Sequence, residues 1–175
     1  MPSTYTAEAY TPKRGSTLWK MLGKKPEAPR GLYLWGGVGR GKSMLMDLFY
    51  ETAPVRPKRR VHFHAFMAEI HRRLRELKSE QDPLKSVAAE IARETRVLCF
   101  DEFHVTDIAD AMILGRLLEA LFARGTVFVM TSNYPPDGLY PNGLQRINFL
   151  PTIDMITRNN TINIVVRTII AALKK

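Results

Sequence analysis

The chain has 175 residues, is 45% hydrophobic and carries a formal net charge of +9, enough for one domain with a substantial core. The single Cys99 excludes an internal disulfide and fits a reducing compartment. No apolar run approaches the ~20 residues of a membrane-spanning helix, and no signal peptide opens the chain. The expectation is a soluble protein resident in the cytoplasm. The positive charge is compatible with nucleic acid, anionic lipid or an acidic protein segment, and does not choose among them.

Residues 1–29 read as a basic leader, broken by Pro2, Pro12, Pro26 and Pro29, with one possible amphipathic turn over residues 17–22. Patterned sequence begins at Gly31-Leu32-Tyr33-Leu34-Trp35, a short apolar strand. Gly36-Gly37-Val38-Gly39-Arg40-Gly41-Lys42-Ser43 follows, of the form G-x-x-x-x-G-K-[ST], and a helix starts at Met44. Strand, loop and helix in this order make a phosphate-binding loop. Its backbone N–H groups and the helix N-terminus face the anion. Lys42 reaches the outer phosphates, and Ser43 offers a hydroxyl to Mg²⁺. The expected nucleotide-binding set is Gly36, Gly37, Val38, Gly39, Arg40, Gly41, Lys42, Ser43 and Met44, with ATP and Mg²⁺ as cofactors.

Arg56-Pro57-Lys58-Arg59-Arg60 reads as a basic, proline-broken connector. Val61-His62-Phe63-His64-Ala65-Phe66 reads as a second strand, whose H-x-H spacing puts both imidazoles on one face. No Cys/His set completes a zinc site, so His62 and His64 are assigned structural or partner-facing roles. Helices are expected over 67–78 and from Asp82-Pro83-Leu84 onward.

The second chemical element is Arg96-Val97-Leu98-Cys99-Phe100-Asp101-Glu102, an apolar strand ending in two acids. Asp101 is placed to hold the Mg²⁺ water shell and Glu102 to accept a proton from an attacking water. A long helix is expected over 107–123, ended by Gly125. Residues 126–130 form the next strand, which terminates at Thr131-Ser132-Asn133. Asn133 is a candidate for hydrogen bonding the attacking water and the terminal phosphate. Residues 144–157 read as helical, interrupted near Pro151. Asn159-Asn160 reads as a turn, 161–166 as a last strand, and 168–175 as a short helical tail.

Alternating strands and helices imply an α/β fold, a three-layer α/β/α P-loop NTPase with a mainly parallel sheet. No N-K-x-D guanine-reading motif is present, which favours ATP over GTP. Gly31 to Ser43, Arg60-Val-His-Phe-His64, Val97 to Phe103, Asp107 to Met112, and Gly143 to Arg146 with Phe149-Leu-Pro151 resemble the ZapE-type (Lace-like) family of AAA+ ATPases, from about Arg30 to Ile156. The resemblance implies Walker A at Gly36 to Ser43, Walker B at Asp101 and Glu102, a sensor role for Asn133, and an arginine finger at Arg146. Lys42, Glu102, Asn133 and Arg146 would then be the catalytic set. A finger acting on a neighbouring subunit requires a homo-oligomeric ring.

The resemblance also implies a partner in cell division, such as the tubulin-like FtsZ of the division ring, at the inner face of the cell membrane. It divides the chain into a leader, 1–29, an AAA+ core, 30–158, and a divergent tail, 159–175, and the C-terminal lid is expected to be absent. The leading function is Mg²⁺-dependent ATP hydrolysis that remodels a protein partner. Two alternatives stand beside it. One is a nucleotide-binding module with little turnover. The other is a DNA-linked loader-type ATPase, a reading in which nucleic acid is the less favoured partner.

Overall fold

The computed structural model describes residues 29–164. The leader up to residue 28, including the amphipathic turn expected at 17–22, and the tail from residue 165 lie outside the described residues.

Five strands form one sheet: β1 (Gly31–Trp35), β2 (Lys58–His62), β3 (Val97–Asp101), β4 (Val127–Ser132) and β5 (Asn160–Ile164). All neighbours are parallel, in the order β2-β3-β4-β1-β5. Parallel neighbours need crossovers. The helices that provide them are α1 (Lys42–Thr52), α2 (Phe63–Glu76), α3 (Pro83–Glu94), α4 (Ile108–Phe122) and α5 (Leu150–Asn159). The acidic strand β3 follows β2 in sequence, but in space β4 separates it from β1. β5, the last strand among the described residues, lies directly against β1, with Leu32 opposite Thr161.

Period-two alternation divides the sheet between its two faces. Leu98, Phe100, Phe128 and Met130 join the large core with Phe63, Phe66, Ile70, Val87, Ile91, Leu114, Leu118 and Ile156. Val97, Cys99 and Val129 turn the other way and pack with Met46 of α1. The sheet is thus covered on both faces, as the α/β reading expected. At Gly31 the strands approach so closely that a Cβ would lie 2.2 Å from the Phe128 carbonyl oxygen and from Asn160 Oδ1.

Four local readings are corrected. The second strand is Lys58–His62, and 63–66 already belong to α2. Phe63, Phe66, Met67 and Ile70 are all buried, a helical spacing that supplies more core than alternation would. His62 and His64 therefore do not share a strand face. Lys58, Arg59 and Arg60 lie in β2 rather than in a solvated connector, because each finds an acceptor. Lys58 donates to backbone carbonyls of Tyr50 and Ala53, Arg59 pairs with Glu69, and Arg60 pairs with Asp47 and Asp101. The helical segment expected at 144–157 is a 3₁₀ turn (Arg146–Phe149) followed by α5, with Pro151 in its first turn, where a missing N–H costs nothing. Asn160 opens β5 instead of lying in a turn; its side chain is buried and donates to the Ile156 carbonyl at 2.8 Å.

Candidate nucleotide site

The carboxyl ends of parallel strands all open on one edge of the sheet, where ligands of open α/β sheets bind. β1 delivers the loop 36–43 to that edge. Gly36 N–H donates to the Ser132 carbonyl at 3.2 Å, which ties the start of the loop to the end of β4. Gly41 caps α1 in a left-handed conformation (φ 88°), so the loop can turn straight into the helix without a Cβ clash. Lys42 folds back over the loop, its Nζ donating to the Gly36 and Gly37 carbonyls at 2.6 and 2.9 Å. Partial burial, helped by the charge of Arg40, holds the Lys42 ammonium below the usual lysine pKa. An anion inside the loop would reverse both effects. Val38 is largely exposed, as is Met44 in part, and Ser43 is exposed in the first turn of α1.

β3 ends at Asp101 and Glu102 follows it; the two separate sharply in environment. The Asp101 side chain is 11% exposed and faces the α1 side of the sheet. Its Oδ2 accepts from Arg60 Nε at 2.6 Å and its Oδ1 from a terminal nitrogen of the same guanidinium at 3.1 Å. The third guanidinium nitrogen pairs with Asp47. The hydrogen bond to Asp101 does most to raise the Arg60 pKa above the arginine range, against the cost of burial. Glu102, by contrast, projects into solvent with its side chain 78% exposed. Its backbone is left-handed (φ 55°), and its N–H donates to Thr131 Oγ1 at 3.2 Å. Its Oε2 lies 3.9 Å from His62 Nδ1 at the end of β2.

β4 completes the edge. Ser132 is fully buried; its hydroxyl donates to the Phe103 carbonyl at 2.7 Å and accepts from the Tyr134 N–H at 3.2 Å. Phe103 N–H donates to the Thr131 carbonyl at 2.7 Å. These bonds fix the turns that follow β3 and β4, and Asn133 emerges from them exposed. Arg146 stands apart in the 3₁₀ turn. It donates to the Asp137 carbonyl at 2.6 Å, and its Nε is buried without a partner.

The donor set suits Mg²⁺ bound with a nucleotide. A hydroxyl at Ser43 and a carboxylate at Asp101 are hard oxygen ligands, few in number, as expected where phosphates and water fill the remaining positions. Among the described residues no cluster of three or more His, Cys, Asp or Glu offers an all-protein metal cage. The motifs do not point to Asp47, Arg60, Thr131 or Ser132, which join the site only through the fold. The alternation of β2 was the available signal, since it puts Arg60 and His62 on the face of their partners Cys99 and Asp101.

Residues 3–168 match the AFG1-like ATPase family. The chain belongs to that family. The match extends through β5, past Ile156, where the resemblance read from motifs stopped. Among the relatives of this AFG1-like chain, the Escherichia coli (strain K12) cell division protein ZapE is 56% identical over 144 residues, covering 80% of this chain and 38% of that protein. The Danio rerio lactation elevated protein 1 homolog B is 52% identical over 143 residues, 75% of this chain and 28% of that protein. The chain thus spans well under half the length of these relatives. Solved structures share the fold at low identity. Domain III of the Thermotoga maritima replication initiation protein DnaA has a TM-score of 0.58 at 15% identity, covering 83% of this chain and 58% of that one. The DnaC helicase loader has a TM-score of 0.53 at 19% identity, covering 89% and 93%. The likeness to these structures is one of fold. No helix among the described residues is long and apolar enough to cross a membrane.

Proposed function

We propose that this chain is the nucleotide-binding and hydrolysing part of an AAA+ protein that uses ATP and Mg²⁺ to remodel a protein partner in cell division. The observation that carries the reading is the meeting, at one sheet edge, of a Lys42-centred phosphate loop with a buried and an exposed carboxylate at the end of β3.

Each residue has a separate task in this scheme. The loop amides and Lys42 would hold the phosphates, and Ser43 and Asp101 would hold Mg²⁺, which would supply positive charge to the phosphate oxygens. Glu102, exposed to water, takes the proton of the attacking water. Asn133 orients that water and the terminal phosphate. Arg146 acts in trans, leaving the Asp137 carbonyl to reach a neighbour's nucleotide in a homo-oligomeric ring. The cell-division setting rests on the identity to ZapE. The tubulin-like FtsZ, at the inner face of the membrane, is the partner to test.

The deciding experiment is ATP hydrolysis per subunit against protein concentration, with Glu102→Gln as the blank. Activity that climbs with concentration supports a ring enzyme. Activity no higher than the blank, with ATP still bound, reduces the chain to a nucleotide-binding module.

A further inference from the structure

The guanidinium of Arg60 occupies both oxygens of the carboxylate assigned to the metal, and its third nitrogen holds Asp47. The two acceptors differ in kind. Asp101 has a side chain 11% exposed, while that of Asp47 is 54% exposed. A buried carboxylate needs a permanent counter-charge, and an exposed one does not. Asp47 also lies four residues after Ser43 on α1, so both project from one helix face. β2 presents Arg60 to the same side of the sheet. Metal ligand, alternative acceptor and guanidinium therefore converge.

Resting on the nucleotide reading above, we propose that Arg60 is a positioning residue that sets metal occupancy at Asp101, passing from Asp101 to Asp47 when a divalent cation arrives with nucleotide. With the site empty of cation, Arg60 neutralises Asp101. When the cation supplies that charge, the guanidinium moves fully onto Asp47, and no buried carboxylate is left uncompensated. Asp47 draws the competing positive charge away from the metal. Arg60 restrains the metal, so the two residues act on it with opposite sign.

The test is the ratio of Kd values for a fluorescent ADP analogue in EDTA and in Mn²⁺, which cancels any general change in the nucleotide pocket. Free Mn²⁺ is followed in parallel by its paramagnetic resonance signal. Asp47→Asn should lower the ratio by about tenfold, because Arg60 then stays on Asp101 beside the ion. Arg60→Met should raise it. Asp47 is half exposed, so its variant folds and decides the matter even if Arg60→Met does not. A ratio within twofold of the parent in Asp47→Asn, or one lowered alike by both substitutions, overturns the proposal and leaves a structural brace. Loss of nucleotide binding by the unaltered chain in both conditions would instead overturn the nucleotide reading, and the proposal with it.

Discussion

Thr131 of β4 holds Glu102, the residue after β3, by its backbone: the Thr131 hydroxyl accepts the Glu102 N–H at 3.2 Å and donates to the Phe100 carbonyl at 3.4 Å. The proposed base thus depends for its direction on a neighbouring strand. Thr131→Val keeps the shape and removes the acceptor. Turnover should fall by about fivefold, while nucleotide Kd changes little, since a lost hydrogen bond is worth about 1 kcal/mol. Thr131→Ser should restore most of the rate. Steady-state kinetics beside equilibrium binding checks the split; equal losses in both would mean a general collapse of the edge.

Glu102 adopts φ 55°, a conformation that costs a non-glycine residue about 1 kcal/mol. Strain of this kind gathers at functional sites. Glu102→Gly should therefore be more stable than Glu102→Ala by about 1 kcal/mol, with neither hydrolysing ATP. Urea midpoints of the two variants measure the difference. Equal midpoints would remove strain from the account of this turn.

Lys42 titrates below an ordinary lysine because partial burial and Arg40 disfavour its charged form. The charged form binds phosphate, so metal-free ATP affinity should weaken with rising pH, starting before the normal lysine range. Lys42→Ala should abolish tight binding throughout. Lys42→Arg should bind without that decline. Fluorescence titrations between pH 7 and 10 separate the cases, and a flat profile in the parent chain would take Lys42 off the phosphates.

Burial pushes the Cys99 thiol up to about 12, from an ordinary value near 9. Below pH 9 the thiol is protonated in both folded and unfolded chains and contributes nothing to pH dependence. Between about 9 and 12 only the unfolded chain ionises, so folding stability should decline across that window. Thiol reagents at pH 8 should label Cys99 only in denaturant. Rapid labelling of the native chain would show that α1 leaves this face of β3.

The phosphate loop was legible because glycines, lysine and serine need no distant partner to make their motif. The acidic strand end and the parallel sheet were legible for a similar reason, as alternation and apolar runs report burial locally. The turn into α2 was not. Val61 to Ala65 alternates apolar and polar as a strand does, and only Phe66, Met67 and Ile70 reveal the helical period that wins. The basic run 58–60 misled in the opposite way. Its charges read as a solvated connector, yet their acceptors lie on other elements, α1, α2 and β3. The environment of Glu102, set by Thr131, had no signal in its own neighbourhood.

β1 precedes the other described strands in the chain, yet both of its neighbours come late. Its partner on one side, β4, follows by roughly a hundred residues, and β5 on the other side by more still. A strand cannot be enclosed before its neighbours exist, and distant pairings form slowly. During translation the phosphate loop therefore leaves the ribosome long before it has a floor. The nascent chain should acquire nucleotide affinity abruptly, once Ile164 has emerged, and ATP in the surrounding solution would then trap the sheet with β1 enclosed.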